Sequence, residues 1–360
     1  MKKMLVFGMA LLFLAPALFA DDALVMPARV GRFYLAPSFI FGSETFDEFG
    51  YRVPASAKST KMFNLGAALE YGINSWITGA VQWAPGANLW SEIDINLPIF
   101  TPTGLALSTS DVQLSDVGDL FVGAKIQLVG NSAGPAPSDI MRMAFAPGLK
   151  IPLGNPDFSE QYENAVKGDP VTAATLDKHI LGLGLRTYFD WIINENFFIN
   201  FYNEVIFYPG AKKIKHSSYQ DYLTLAGVNA QIGSLASDTS VSGEVNYKPD
   251  LTFEIEPKFT TPIAEGVVFN FGLPVRYVNS GKSFNFTAAG TASEQALTAA
   301  RDELQNETSH LVTFSPNLST FFMGWPLPTE FKLTYSVPVL GQNVPANNVL
   351  NFQIRLYFRI

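Results

Sequence analysis

Ten charged and aromatic residues occupy alternate positions within short segments that are otherwise mostly apolar. They are Lys125, Lys150, Arg186, Glu204, Glu254, Glu256, Lys258, Arg355, Tyr188 and Tyr202. Because successive side chains of a β-strand point to opposite faces, this spacing puts all ten on polar strand faces. Groups of both charges that line one passage select solutes by charge and by hydrogen bonding. The chemistry predicted for this set is therefore binding and selection of small solutes.

The order of these charges along the chain leaves two interpretations open. Basic residues cluster between Leu120 and Trp191, and acidic residues follow on the next two segments. That arrangement predicts an electric field across a constriction. Arg186 and Glu204, however, lie nearly opposite each other across the short turn at Ile193, so they also fit a cross-strand pair that only balances charge. Both interpretations are kept.

The elements that carry these residues have a period of two. Between Leu251 and Thr261 the apolar residues alternate with polar ones, and the same pattern runs from Leu350 to Ile360. A helix would spread these charges around its circumference, whereas a strand collects them on one face. The pattern therefore predicts β-strands with one apolar and one polar face.

About twelve such segments are present, each near the ten residues that a tilted strand needs to cross a bilayer. They are Arg32 to Gly42, Lys61 to Tyr71, Trp76 to Ala84, Leu120 to Val129, Met141 to Leu153, Ile180 to Trp191, Phe197 to Tyr208, Leu251 to Thr261, Val267 to Tyr277, Val312 to Phe322, Phe331 to Val339 and Leu350 to Ile360. Short connections alternate with long ones, such as Pro85 to Gly118. Short periplasmic turns and long extracellular loops are typical of outer-membrane barrels.

The energetics of burial decide which strand face meets lipid. A charge on a lipid-facing strand position costs up to roughly 2–4 kcal/mol at the bilayer midplane. A register slipped by one residue would place Glu254, Glu256 and Lys258 in lipid, so the apolar face is predicted to point outward. The strands of a secreted β-sandwich also alternate between polar and apolar residues, but its loops have no reason to alternate in length. The fold class predicted is all-β, a transmembrane antiparallel β-barrel of about 12 strands.

Composition supports this class and excludes several others. Charged residues make up only 16% of the chain, while aromatic residues reach 13%. The net charge of −8 argues against nucleic acid as a partner, because nucleic-acid binding needs a basic face. The chain has no cysteine, which removes disulfides and cysteine-based zinc sites. No motif predicts a cofactor or a metal, and none is expected.

The amino-terminal segment has the features of a secretory signal peptide. A basic start at Lys2 and Lys3 is followed by an apolar run that ends near Ala15, and Ala20 precedes two aspartates. Residues 1–20 are therefore expected to be removed, which leaves 21–360 as a single barrel domain in the outer membrane of a diderm bacterium. The expected partners are outer-membrane lipid, a small-molecule solute, and the barrel-assembly machinery, which would receive the C-terminal strand.

A lipid hydrolase is a weaker alternative for an outer-membrane barrel. The only histidines are His179, His216 and His310, and their serine neighbours in sequence do not establish the geometry of a base and its nucleophile. Neither G-x-S-x-G nor H-E-x-x-H occurs. The sequence therefore predicts no enzyme.

One stretch carries a family resemblance. Asp116-Val117-Gly118-Asp119, continued to Gly123 and Lys125, resembles the Asp-x-Gly-Asp-x-x-x-Gly-x-Lys stretch of the outer-membrane family named for the MetA pathway of phenol degradation. The turn at Tyr71-Gly72-Ile73-Asn74 is similar to the same group. The resemblance implies a β-barrel channel for small, often apolar or aromatic solutes, related in role to hydrocarbon and fatty-acid channels.

The function predicted from the sequence is a porin-like outer-membrane channel for passive uptake of small solutes, apolar or aromatic molecules among them. Twelve strands place the lumen between the filled interior of eight-stranded barrels and the open channel of sixteen-stranded ones. The alternative is a surface-exposed structural or adhesive barrel that binds through its long loops. A lumen sealed by salt bridges would favour that alternative.

Overall fold

The computed structural model describes residues 22–55, 57–101, 104–112, 116–130, 134–154, 176–214, 240–289 and 307–359. The signal peptide predicted for residues 1–20 lies outside them. The strands are β1 (Val30–Gly42), β2 (Glu44–Phe46), β3 (Arg52–Pro54), β4 (Ala57–Asn74), β5 (Ile77–Thr101), β6 (Gly104–Val112), β7 (Leu120–Val129), β8 (Met141–Ile151), β9 (Gly182–Asn194), β10 (Phe197–Phe207), β11 (Ala211–Ile214), β12 (Ser240–Tyr247), β13 (Asp250–Ala264), β14 (Val267–Gly272), β15 (Val275–Ala289), β16 (Glu307–Phe314), β17 (Asn317–Phe322), β18 (Thr329–Gln342), β19 (Val344–Pro345) and β20 (Asn348–Arg359).

Seventeen of these segments form one antiparallel sheet that closes on itself where β1 pairs with β20. Five of the spanning strands are broken into two segments, so twelve strands make up the wall. Four breaks contain a proline, which cannot donate a ladder hydrogen bond. These prolines are Pro209, Pro249, Pro274 and Pro316. The prediction of a twelve-stranded transmembrane barrel is confirmed.

The two faces of the wall are sorted as the alternation predicts. In β13 the side chains of Leu251 and Phe253 are 43% and 40% exposed, whereas Thr252 and Glu254 are buried. The inward faces of the other strands likewise bury many polar residues, while most of the exposed large apolar residues lie on the outside. The interior of the molecule is thus a polar lumen rather than an apolar core. No helix in the described ranges is long and apolar enough to span a membrane.

The connection predicted from Pro85 to Gly118 differs from the structure. Pro85 to Gly118 was expected to be a long external loop, but β5 continues to Thr101 and pairs with β6 as a hairpin that extends the wall. The apolar residues of this stretch, which are unusual for a loop, belong to these two strands. A second small sheet of β19, β2 and β3 stands at the same end of the barrel, which is the end of the long loops. We call this end the outer rim.

Candidate functional site

All ten residues predicted to line a passage lie on lumen-facing positions of their strands, but they do not form one cluster. Lys150 is near the outer rim, Lys125 and Lys258 are nearer the periplasmic turns, and Arg186, Glu204, Glu254, Tyr188 and Tyr202 lie together between them. Glu256 accepts a hydrogen bond from Asn317 Nδ2 at 2.8 Å, while its other carboxylate oxygen has no hydrogen-bond partner among the described residues. Their role in solute selection remains a prediction.

The lumen charges are paired along the wall. Four arginines each contact a glutamate directly opposite on a neighbouring strand. The pairs are Arg32–Glu70 (2.6 Å), Arg276–Glu254 (2.6 Å), Arg355–Glu330 (3.4 Å) and Arg186–Glu204. All eight side chains are largely buried, so each charge is balanced by its own neighbour. Removing one partner of such a pair typically costs about 3–5 kcal/mol, because the other charge stays buried.

Aromatic rings surround the central pair of Arg186 and Glu204. The rings of Tyr188 and Tyr202 lie 5.2 Å apart, and the Tyr202 hydroxyl donates to Glu204 at 3.0 Å. The guanidinium of Arg186 lies 3.7 Å from the ring centroid of Phe121. This part of the lumen therefore presents aromatic faces together with balanced charges, a surface that accepts solutes with both apolar and hydrogen-bonding parts.

Residues 22–29 enter the lumen from the periplasmic end. The Arg29 amide donates to the carbonyl of Gly72 in the first short turn, and a Cβ on Gly72 would lie 2.1 Å from the Pro27 oxygen. Glycine at position 72 is what lets the segment pass so close to the wall. Further in, the Ala23 amide donates to the carboxylate of Asp190 (3.1 Å to Oδ2), and Ala23 is fully buried.

Two of the predicted lumen lysines hold this amino-terminal segment. Lys125 Nζ donates to the carbonyl oxygens of Asp22 (2.7 Å) and Leu24 (3.2 Å), and it lies 4.1 Å from the Tyr188 ring centroid. Lys258 Nζ lies 3.9 Å from the Asp22 carboxylate. Since these lysines belong to strands that are not neighbours, the segment reaches across the lumen at this height.

A second segment, residues 176–180, fills the lumen near the outer rim. All five residues are buried, although they belong to the connection between β8 and β9. Lys178 pairs with Asp250, and Asp177 pairs with Lys150. The predicted lumen residue Lys150 is therefore one of the groups that hold the outer segment in place.

The motif that carries the family resemblance clamps this outer segment. His179 Nε2 lies 3.0 Å from Asp116 Oδ2, and Nδ1 lies 3.1 Å from Asp119 Oδ1. The carboxylate of Asp119 also accepts the His179 amide at 3.2 Å. His179 has a positive φ of 51°, an uncommon conformation for a residue other than glycine. We call Asp116, Asp119 and His179 the outer clamp.

The ionisation of the outer clamp follows from its geometry. Burial lowers the pKa of His179, but hydrogen bonds and charge from Asp116 and Asp119 outweigh burial and raise that pKa to about 9. Burial raises the pKa of Asp119 above its usual range. The imidazolium form of His179 is thus the form that the two carboxylates stabilise.

A small space of about 20 Å³, roughly the room needed by one water molecule, lies in the lumen beside the amino-terminal segment. Its lining includes Met26, Glu70, Gln82, Phe121, Arg186 and Tyr188. Leu24 and Met26 of the amino-terminal segment border this space, and ion pairs and hydrogen bonds hold the outer segment nearer the outer rim.

Several site residues were not identified from the sequence. Arg32, Glu70, Arg276 and Glu330 complete the buried pairs, and His179 completes the outer clamp. The inward register of the strands was sufficient to place Arg276 on the polar face, since it lies in the predicted strand from Val267 to Tyr277. Nothing in the sequence indicated that residues 176–180 fold into the lumen.

The two described histidines contact groups other than the serines that neighbour them in sequence. His179 contacts two carboxylates, and His310 contacts the Tyr277 hydroxyl and the Asn279 amide. Ser309 faces the lumen while His310, the next residue of the strand, faces outward, so these sequence neighbours point to opposite sides of the wall. His216 lies outside the described residues.

Comparisons with known proteins bear on the fold. No family model matches the chain, and no curated protein matches it. Among solved structures, the COG4313 outer membrane channel from Pseudomonas putida F1 matches with a TM-score of 0.57 and 12% identity, covering 95% of this chain and 100% of that one. A FadL homologue of Pseudomonas aeruginosa matches with a TM-score of 0.36 and 10% identity over 92% of this chain and 90% of that one.

The likeness to the Pseudomonas putida channel agrees with the closed barrel wall described above. It also agrees with the resemblance seen at Asp116 to Lys125. The chain is a twelve-stranded β-barrel of the outer membrane and has the fold of an outer-membrane channel.

Proposed function

We propose that this barrel is a channel for passive uptake of small solutes across the outer membrane, including solutes with an aromatic or apolar part. The observation that carries the proposal is that, in the described part of the chain, two short segments held largely by polar contacts occupy the lumen, rather than a packed apolar core. Such segments move aside at a smaller free-energy cost than buried apolar side chains, because water replaces the hydrogen bonds that they lose.

The side chains that line the lumen support the proposed class of solute, small molecules with an aromatic or apolar part. Tyr188, Tyr202 and Phe121 provide aromatic faces beside Arg186 and Glu204, which balance each other. A lining of this kind offers stacking and hydrogen bonds without a net local charge. A small aromatic acid or amide fits it better than a strongly hydrated ion does.

Solute flux into liposomes that contain the purified, folded protein tests the proposal. Small sugars, amino acids and an aromatic acid are compared in the wild type and in a Glu254→Gln/Arg276→Gln variant, which removes both members of one buried pair and leaves no unpaired charge. We expect flux that depends on the solute and changes in the variant. A single Lys61→Gln substitution on the outside of the barrel is the matched control and leaves flux unchanged.

The neutralised lumen also favours the second candidate, a surface-exposed structural or adhesive barrel. Four buried Arg–Glu pairs are what a permanently sealed lumen would contain. The same experiment separates the two functions. Absence of flux above that of empty liposomes, with a folded barrel confirmed by its heat-dependent gel mobility, would refute the channel and support the second candidate.

A further inference from the structure

A groove lies against the barrel near the outer rim, beside the tip of the hairpin formed by β2 and β3. Its volume is about 320 Å³, and its lining includes Phe49, His310, Val312, Leu340 and Gln342. The groove lies where the pairing of β16 with β18 shifts register between Val312 and Thr313. Phe49 is 75% exposed and Leu340 is 62% exposed. The groove is therefore a largely apolar concavity on the outside of the barrel near the outer rim.

The hydrogen bonds of His310 fix which ring nitrogen faces an incoming group. The amide nitrogen of Asn279 lies 2.9 Å from His310 Nδ1, and the Tyr277 hydroxyl lies 2.7 Å from the same atom. An amide NH₂ group can only donate, so Nδ1 is the acceptor and the ring hydrogen is on Nε2. Within the described part of the chain, Nε2 has no hydrogen-bond partner. His310 thus offers a donor at the groove.

A cation lies beside this donor. Lys248 Nζ donates to the Thr308 hydroxyl at 3.0 Å, and no carboxylate of the described ranges forms an ion pair with it. Thr308 and His310 are two positions apart on one strand face, which is roughly 7 Å. Lys248 contrasts with Lys61, another lysine near the outer rim, which is paired with Glu92 at 2.8 Å.

We propose that this groove binds a lipid A molecule of the outer leaflet. One acyl chain lies along Phe49, Val312 and Leu340, and one phosphate of the headgroup accepts hydrogen bonds from Lys248 Nζ and His310 Nε2. The charge of Lys248 complements a phosphate, and the groove is at the end of the barrel that carries the long loops, where lipid A resides. The proposal does not depend on channel activity.

Native mass spectrometry of the full barrel in detergent, titrated with lipid A and separately with phosphatidylglycerol, tests the proposal. We expect one lipid A to bind the wild type with at least tenfold preference over phosphatidylglycerol. The Lys248→Gln/His310→Gln variant loses both donors and should bind lipid A roughly tenfold or more weakly, since hydrogen bonds to a charged group are lost. A Leu340→Ser variant tests the acyl-chain contact separately, and Lys61→Gln is the matched control.

Three results would overturn the proposal: equal binding by the double variant and the wild type, equal binding of phosphatidylglycerol and lipid A, or no bound lipid A. Heat-dependent gel mobility shows that each variant has folded. Because solute flux is measured separately, failure of the lipid site leaves the proposed channel untouched, and the reverse also holds.

Discussion

The outer clamp gives the sharpest test of how the lumen is closed. His179→Ala removes the two contacts of the ring to Asp116 (3.0 Å) and Asp119 (3.1 Å). A hydrogen bond to a charged group contributes about 1.5–3 kcal/mol net, so the closed position of residues 176–180 loses roughly 3 kcal/mol or more. Each 1.4 kcal/mol changes an equilibrium tenfold, and the ratio of open to closed barrels should rise about a hundredfold.

Single-channel recording in planar bilayers measures this ratio directly as the fraction of time spent open. The Asp116→Asn/Asp119→Asn variant removes the two carboxylate charges that contact His179 and should also raise the open fraction. Lys61→Gln serves as the control, because its ion pair is half exposed and lies outside the lumen. If His179→Ala folds normally but its open fraction equals that of the wild type, the outer clamp does not hold the lumen closed.

The remaining predictions concern pH, a buried pair, the lipid face and the inner segment. The pKa of His179 is about 9 when the outer clamp is formed and 6.5 when the imidazole is free. The charged imidazole therefore stabilises the closed position of residues 176–180 fully below about pH 6.5, and this stabilisation is lost as the pH rises through about 9. The open fraction should rise over that range. Glu330→Ala removes the buried carboxylate that balances the charge of Arg355 and should lower the free energy of unfolding by about 3–5 kcal/mol, measured by urea titration, whereas Glu44→Ala at an exposed pair should change it by less than about 1 kcal/mol. Phe253→Arg puts a charge on the lipid face and should destabilise the barrel by roughly 2–4 kcal/mol in the same titration; an unchanged midpoint would contradict the outward assignment. Deletion of residues 22–28 should increase conductance in a barrel that still folds, and unaltered conductance would show that this segment does not limit the lumen.

The strands were predictable because a single energetic rule governs the whole wall. Every spanning strand separates lipid from a polar lumen, so each one repeats the same alternation, and the segments from Leu120 to Val129 and from Leu251 to Thr261 match β7 and most of β13. The cross-strand pair of Arg186 and Glu204 followed from the short turn between β9 and β10. A short turn fixes register locally, which makes its pairs readable from the sequence.

The rest of the site depends on contacts that local sequence does not specify. Arg32 meets Glu70 across a long loop, so no turn length determines the register of that pair. Arg276 and Glu254, in contrast, keep the register of the short turn between β13 and β14 across the break at Pro274. The inward fold of residues 176–180 depends on Asp116 and Asp119, about sixty residues earlier in the chain. In the sequence, the polar residues of this segment resemble those of any solvated loop, because only the contacts with Asp116 and Asp119 distinguish them.

The amino-terminal segment also affects how the barrel forms in time. The Ala23 amide donates a hydrogen bond to the carboxylate of Asp190, 167 residues away. The strand that follows the segment, β1, is also the strand with which β20 must pair to close the sheet. Contacts between residues far apart in sequence slow folding, because the entropy of closing a large loop is lost before the contact forms. The segment is thus synthesised before all the strands but can dock only after β7, β9 and β13 are in place, which makes its docking a late event in assembly.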